Sequence, residues 1–480
     1  MIQNALYYFK HLKTPLAYQS NNTSHTKIIR SLQPLLKKTI SCYLSQKLYI
    51  STMTNQTIDQ IVTSKLCLSC GACDTICNHN AISFQETTGG HLYPVINKKA
   101  CTNCELCFKV CPGKEFIANK HQPYNSNIFK GNIISCMVGK STSEEIFKNS
   151  QSGGAVTAVL KYLFQSKQIQ HAIVAGMNNE SPPRGKPLLI NSTEQLHAAQ
   201  KSKYTPIPIL SSLKDIKNTD KPVAIVGLPC HIHGLLNLQS LMPALQKLEF
   251  IKLGLICERI MTTSAIDYLC HKSNLKSPTN VIFKDKQYGY PGDIVISEHN
   301  NKSCVIDRSC RKYIKDFFTP ACCRVCFDKL NTCSDITFGD PHGIKGIDKK
   351  NGESLAIIRT QNGEHIINQA IRNNALSVRS IDQEHAIRGQ RIDRKENEWN
   401  KSMSAWEAKG LDLPNFGFMH IESNKINIQK RLIELSLKLD KYSSSEKLFS
   451  AAKNFEIKQR LLKKKPIKNI YRLLNKLNKS

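Results

Sequence analysis

The sequence predicts an α/β protein, α+β overall, with a small cysteine-rich domain ahead of a larger mixed α/β domain. Three observations predict it. Eight cysteines fall in two evenly spaced groups between Cys67 and Cys111. Buried-strand patterns alternate with helical ones from about residue 131 onward, as in sheets covered by helices. Hydrophobic residues make up 40% and charged residues 22% of 480 residues, the balance of an ordinary globular chain long enough for two to four domains.

Composition narrows the class further. No apolar run approaches the ~18 residues of a membrane span, and no secretory signal pattern opens the chain. The expected compartment is the cytoplasm, where 19 clustered cysteines read as metal ligands rather than a disulfide framework. The net charge of +30 is unevenly placed. Residues 1–58 hold seven Lys/Arg and no acid, and residues 453–480 hold ten Lys/Arg and only Glu456. Such tails are solvated, or meet a partner protein or an anionic membrane surface. Residues 1–57 are expected to form a basic extension, of which residues 1–52 are either a targeting segment or untranslated ahead of a true start at Met53.

The earliest cysteines carry the strongest signal. "CLSCGACDTIC" (Cys67, Cys70, Cys73, Cys77) and "CTNCELCFKVCP" (Cys101, Cys104, Cys107, Cys111) repeat one spacing 34 residues apart. It is the run of bacterial-type ferredoxins with two 4Fe-4S clusters. Three thiolates two residues apart curl round one cubane, and the fourth is carried to the other. This places Cys67, Cys70, Cys73 and Cys111 on one cluster, and Cys101, Cys104, Cys107 and Cys77 on the other. A pair of zinc sites is the alternative. Between the groups, "NAISFQETTGGHLYPVIN" reads as a hairpin turning at Gly89-Gly90. Asn78 stands where the motif commonly has proline. The expected ferredoxin domain spans 58–120.

The α/β part follows as 130–240 and 241–400, with a basic helical tail at 425–480. "SGGAVTAVLKYLFQ" (152–165) predicts a helix. "HAIVAG" (171–176), "KPVAIVGLPC" (221–230), "FIKLGLIC" (250–257), "SDITFGD" (334–340) and "SLAIIRT" (354–360) predict strands. Ser152-Gly153-Gly154 at a helix start offers free N–H groups to an anion. Cys230 and Cys257 close predicted strands, at the sheet edge where ligands bind. With Cys323 and Cys326 they make a third tetrad, for a cluster, a zinc ion or no metal. His231 and Asp340 lie at the same edge.

These blocks in this order, with "KSKYTPIP", "VAIVGLPCHIHGL", "FKDKQYGYPG" and "CCRVCFDKLN", resemble the family of coenzyme F420 hydrogenase/dehydrogenase beta subunits over about residues 60–385. The resemblance implies a flavin-binding α/β domain holding FAD beside an additional 4Fe-4S cluster. It implies flavin contacts at Ser152, Gly153, Gly154, Thr157, Lys203 and Tyr204, and cluster ligands Cys230, Cys257, Cys323 and Cys326. Lys203 is expected to stabilise charge on the reduced ring, and His231, where relatives commonly carry Gln, to shuttle protons. Cys322 and Cys333 match no ligand position. The implied function is an oxidoreductase passing electrons between clusters and FAD, with hydride exchange to coenzyme F420 or another small organic donor or acceptor. Its partner would be a redox protein or ferredoxin. The alternative is an electron-delivery subunit without its own substrate. A zinc-stabilised nucleic-acid binder lacks any recognition motif, so no specific nucleic acid is expected.

Overall fold

A computed structural model describes residues 56–122, 127–216 and 219–464. The Met53 start, the rest of the N-terminal extension and the chain beyond 464 lie outside the described residues. From Gln56 onward the chain forms one compact unit.

The cysteine-rich segment opens on a helix, Ile58–Thr63, and contains a hairpin of β1 (Ile82–Glu86) and β2 (Leu92–Ile96). Gly90, with φ +76, makes the turn, a conformation glycine adopts without steric cost. Each cysteine run winds through a one-turn helix, Ala72–Thr75 or Leu106–Lys109, entered from a left-handed residue, Gly71 or Glu105. This segment has no separate core. Ile58, Ile76, Val110 and Phe116 belong to the same buried cluster as Ile173 and Ile225 of the larger sheet and Leu235 of the helix that follows.

The strands of the larger part are β3 (Ser135–Ser141), β4 (His171–Met177), β5 (Gly185–Ile190), β6 (Val223–Gly227), β7 (Phe250–Leu255), β8 (Asn280–Asp285), β9 (Asp293–Ser297), β10 (Ser303–Ile306), β11 (Ile336–Gly339), β12 (Ser354–Ile358) and β13 (Leu376–Ile381). Eight of them form a sheet in the order β13-β3-β12-β11-β7-β6-β4-β5. Its centre, β11-β7-β6-β4, is parallel, and the flanking pairs are antiparallel. The parallel strands are the apolar runs of the sequence, as expected of strands covered on both faces. β8, β9 and β10 form a separate antiparallel sheet. Its core includes Phe283, Ile294, Phe317 and Phe318, closed by Leu448 and Ala452 of the C-terminal helix Ser445–Lys464. The described part of the basic tail is therefore helical and packed. Among the described residues, no helix is long and apolar enough to cross a membrane.

Candidate functional site: three cysteine tetrads and a basic cavity

The structure brings the eight early cysteines near one another: Cys73 lies within electrostatic reach of Cys67, Cys70, Cys111 and Cys107, and Cys107 within reach of Cys104, Cys101 and Cys77. The first set is buried. In the second, Cys104 is exposed and the others half-buried. Burial pushes the Cys70 thiol up to about 12 and that of Cys111 to about 11. A bound cation reverses that effect, because a coordinating thiol is deprotonated outright.

The third tetrad gathers from three places. Cys230 sits in the first turn of the helix Pro229–Leu241, directly after β6. Cys257 lies two residues beyond β7. Cys323 lies on the short helix Ala321–Val325, and Cys326 is its C-cap. The Cys230 thiol interacts with Cys257, Cys323 and Cys326, and also with Cys70 of the first set. Gly234, one helical turn after Cys230, leaves room for that neighbour: a Cβ there would lie 3.3 Å from Cys70 Sγ. His233 Nε2 lies 3.0 Å from Asp328 Oδ2, with both side chains buried, and pins the helix to the Cys326 loop. Lys395 donates to the Cys326 carbonyl at 2.6 Å and Trp399 to that of Val325 at 2.8 Å. Cys322 donates to Cys323, which draws Cys323 down to about 7 and raises Cys322. Cys333 is buried beside Gln122, away from the tetrad.

Beside the third tetrad, a cavity of about 740 Å³ opens at the carboxyl ends of β6, β7 and β11, and Cys257 lines it. The helix Ala155–Gln165 presents its first turn to this cavity, with Ser152, Gly154 and Thr157 in the wall. Gly153 stands where no side chain fits: a Cβ would lie 2.4 Å from the Gly139 carbonyl oxygen and 2.5 Å from Ser354 N. Lysines and arginines dominate the charged lining, among them Arg259, Lys284, Arg311, Lys315 and Lys329, against the two acids Glu258 and Asp340.

Two expected catalytic side chains, Lys203 and His231, line the cavity and also have partners within the protein. Lys203 Nζ donates to the carbonyls of Ala199, Gln200 and Lys201 at 2.7, 2.7 and 2.8 Å. Burial and Lys201 push its pKa down to about 7, while three accepting carbonyls favour the charged form. These three bonds use the donors of the ammonium and organise the 199–204 loop. His231 caps its own helix: Leu228 N donates to Nδ1 at 3.1 Å. The ring also hydrogen-bonds the Ile207 backbone, and burial lowers its pKa to about 4. Tyr204 also lines the cavity, in a left-handed conformation with φ 55. The basic residues Arg259, Lys315 and Lys329 carry no motif in the sequence, and only the fold brings them to the cavity wall.

Fold and site thus define a cysteine-rich segment joined to a mixed α/β unit whose cavity is lined by apolar and basic side chains. Residues 66–114 match the 4Fe-4S dicluster domain. Residues 136–214 and 220–384, together just over half of the chain, match the N- and C-terminal models of the coenzyme F420 hydrogenase/dehydrogenase beta subunit. The chain belongs to the family of coenzyme F420 hydrogenase/dehydrogenase beta subunits.

Its relatives are distant. It is 26% identical over 358 residues to the coenzyme F420-dependent sulfite reductase of Methanocaldococcus jannaschii, covering 70% of this chain and 51% of that protein. It is 27% identical over 184 residues to a subunit of the F420H2 dehydrogenase of Methanosarcina mazei, covering 37% of this chain and 49% of that one. It is 25% identical to a coenzyme F420 hydrogenase subunit beta of Methanosarcina barkeri, covering 53% of this chain and 84% of that one. The chain spans about half the length of the first two. A chain in a xenon-derivatised structure of the F420-reducing nickel–iron hydrogenase complex of Methanosarcina barkeri aligns with a TM-score of 0.46 and 19% identity, over 61% of this chain and 98% of that one.

Proposed function

We propose that this chain is an iron–sulfur flavoprotein oxidoreductase. Electrons would pass between ferredoxin-type 4Fe-4S clusters and FAD, with coenzyme F420 or another small organic molecule as donor or acceptor. One observation carries this reading: Cys257 belongs to the third tetrad and also lines the basic cavity.

The residues fit these groups. The first set would hold a buried cluster, the Cys104 set a cluster at the surface, and the Cys230 set a third. For FAD, a cavity of about 740 Å³ is of ligand size. The turn at Ser152, Gly153 and Gly154, with Thr157, would hold its phosphates at the helix N-terminus, and the cationic walls would neutralise them. Bound clusters and flavin supply the exchange between one-electron and two-electron chemistry. The chain's own residues align the tetrads, bring the backbone close at Gly153 and hold the cavity loop through Lys203.

The second reading, an electron-delivery subunit without its own substrate, draws on the exposed Cys104 and on relatives named as subunits. A redox protein or ferredoxin would then dock at the Cys104 face. The basic C-terminal segment would serve as a further contact with a partner or membrane. Analysis of anaerobically purified protein tests the proposal. It expects about twelve irons with matching sulfide, one FAD and no zinc per chain. About eight irons without flavin would overturn it.

A further inference from the structure

The cavity wall contains a buried ion pair. Lys284 Nζ lies 2.6 Å from Asp340 Oδ2, and each side chain is 11% exposed. Lys284 comes from β8 of the smaller sheet, and Asp340 follows β11 of the larger one. The pair therefore joins the two sheets across the cavity that both residues line. Tyr204 hydrogen-bonds the Lys284 ammonium, and Nζ lies 5.8 Å from the centroid of its ring. That ring is held edge-on to Phe283 at 5.3 Å. On the other side, Tyr290 hydrogen-bonds Asp340.

Two features set this lysine apart. A buried ion pair is about as stable as a well-packed apolar pair of the same size, so stability alone does not call for it. And Lys203 gives its donors to three backbone carbonyls, whereas among the described residues Lys284 Nζ meets Asp340 and, beside it, Tyr204, two partners for three N–H groups. Lys284 is thus a rigidly held cation with a donor to offer a ligand.

We propose that Lys284, oriented by Asp340 and Tyr204, is the group that faces the reducible ring bound in this cavity and stabilises the negative charge it gains on reduction. Two electrons and one proton entering a flavin leave one extra negative charge, which a fixed ammonium offsets electrostatically. The electrons come from the clusters, or from dithionite in a titration. The inference rests on the flavin reading above.

The test is a potentiometric titration of the flavin in the full-length, anaerobically purified protein. In K284Q the reduced-to-oxidised ratio at fixed poise should fall at least tenfold, a midpoint about 30 mV more negative for a two-electron couple. K284R should stay within about threefold of wild type, since it keeps the charge. The double variant K284Q/D340N, which leaves no buried charge unpaired, should shift in the same direction by less. A flavin-loaded K284Q or K284Q/D340N that titrates like wild type would overturn the inference. If neither binds flavin, Y204F decides: a negative shift supports the role and an unchanged midpoint overturns it. Wild-type protein without flavin would instead overturn the flavin reading.

Discussion

Lys286 shows how one side chain sets the conditions under which the cavity edge works. Its Nζ donates to the Ser152 carbonyl at 2.9 Å and to Ser150 Oγ at 3.2 Å, and lies 3.9 Å from the Phe147 ring centroid. Burial lowers its pKa to about 8; Lys201 and Lys140 act in the same direction, against Asp348. The ammonium is present below about 8 and neutral above it. An anion held at Ser152–Thr157 therefore loses a cationic neighbour as pH rises. FAD affinity, followed by flavin fluorescence, should fall several-fold between about pH 7 and about pH 9. K286M should bind more weakly at the lower pH and show a flatter profile. A wild-type profile in K286M would remove Lys286 from the anion site.

At the scale of elements, the helix Pro229–Leu241 does most to join the two parts of the site. Pro229 at its start suits the missing N–H of a first helical position. Cys230 faces the third tetrad, His233 holds Asp328, and Gly234 packs at Cys70 Sγ. A single rigid element thus sets the position of one tetrad relative to another. C230S should lose about four of about twelve irons. C322S should keep them all, because the family resemblance places no ligand at Cys322, which hydrogen-bonds Cys323. Iron and sulfide analysis separates the two. Equal loss in both would place Cys322 among the ligands.

For the whole molecule, the described end of the chain is structural. Glu456, almost fully buried, accepts from Tyr268 at 2.8 Å, Lys272 at 2.8 Å and Arg460 at 2.7 Å. On the same helix, Leu448 and Ala452 are buried, and Phe449 and Phe455 pack against the same core. A chain ending at Ser444 should expose that apolar face, melt several degrees lower and bind a hydrophobic dye. Unchanged melting would show that the helix is dispensable.

Much of this was legible because it is local. The spacing of Cys67 to Cys77 and Cys101 to Cys111 is a matter of a few covalent links, and so is the turn at Gly90. β4, β6 and β7 show as apolar runs because strands buried on both faces need them. His231 was readable as a cap, since its partner is only three residues back. β3, β5, β13 and the three-stranded sheet were not read; β13 and β5 edge the large sheet, and their half-exposed patterns carry weak apolar signals.

By itself, then, the sequence determined which cysteines form each early run, where the parallel strands lie and which glycine turn opens the helix at Ala155. Only the tertiary structure decided that β6, β7 and β11 stand side by side, which brings Cys230, Cys257 and Cys326 together from positions up to 96 residues apart. It also decided that the Lys203 ammonium meets backbone carbonyls and that Lys284 pairs with Asp340. Chain spacing does not say which acceptors a flexible ammonium meets; that depends on the carbonyls and carboxylates that packing puts within its reach.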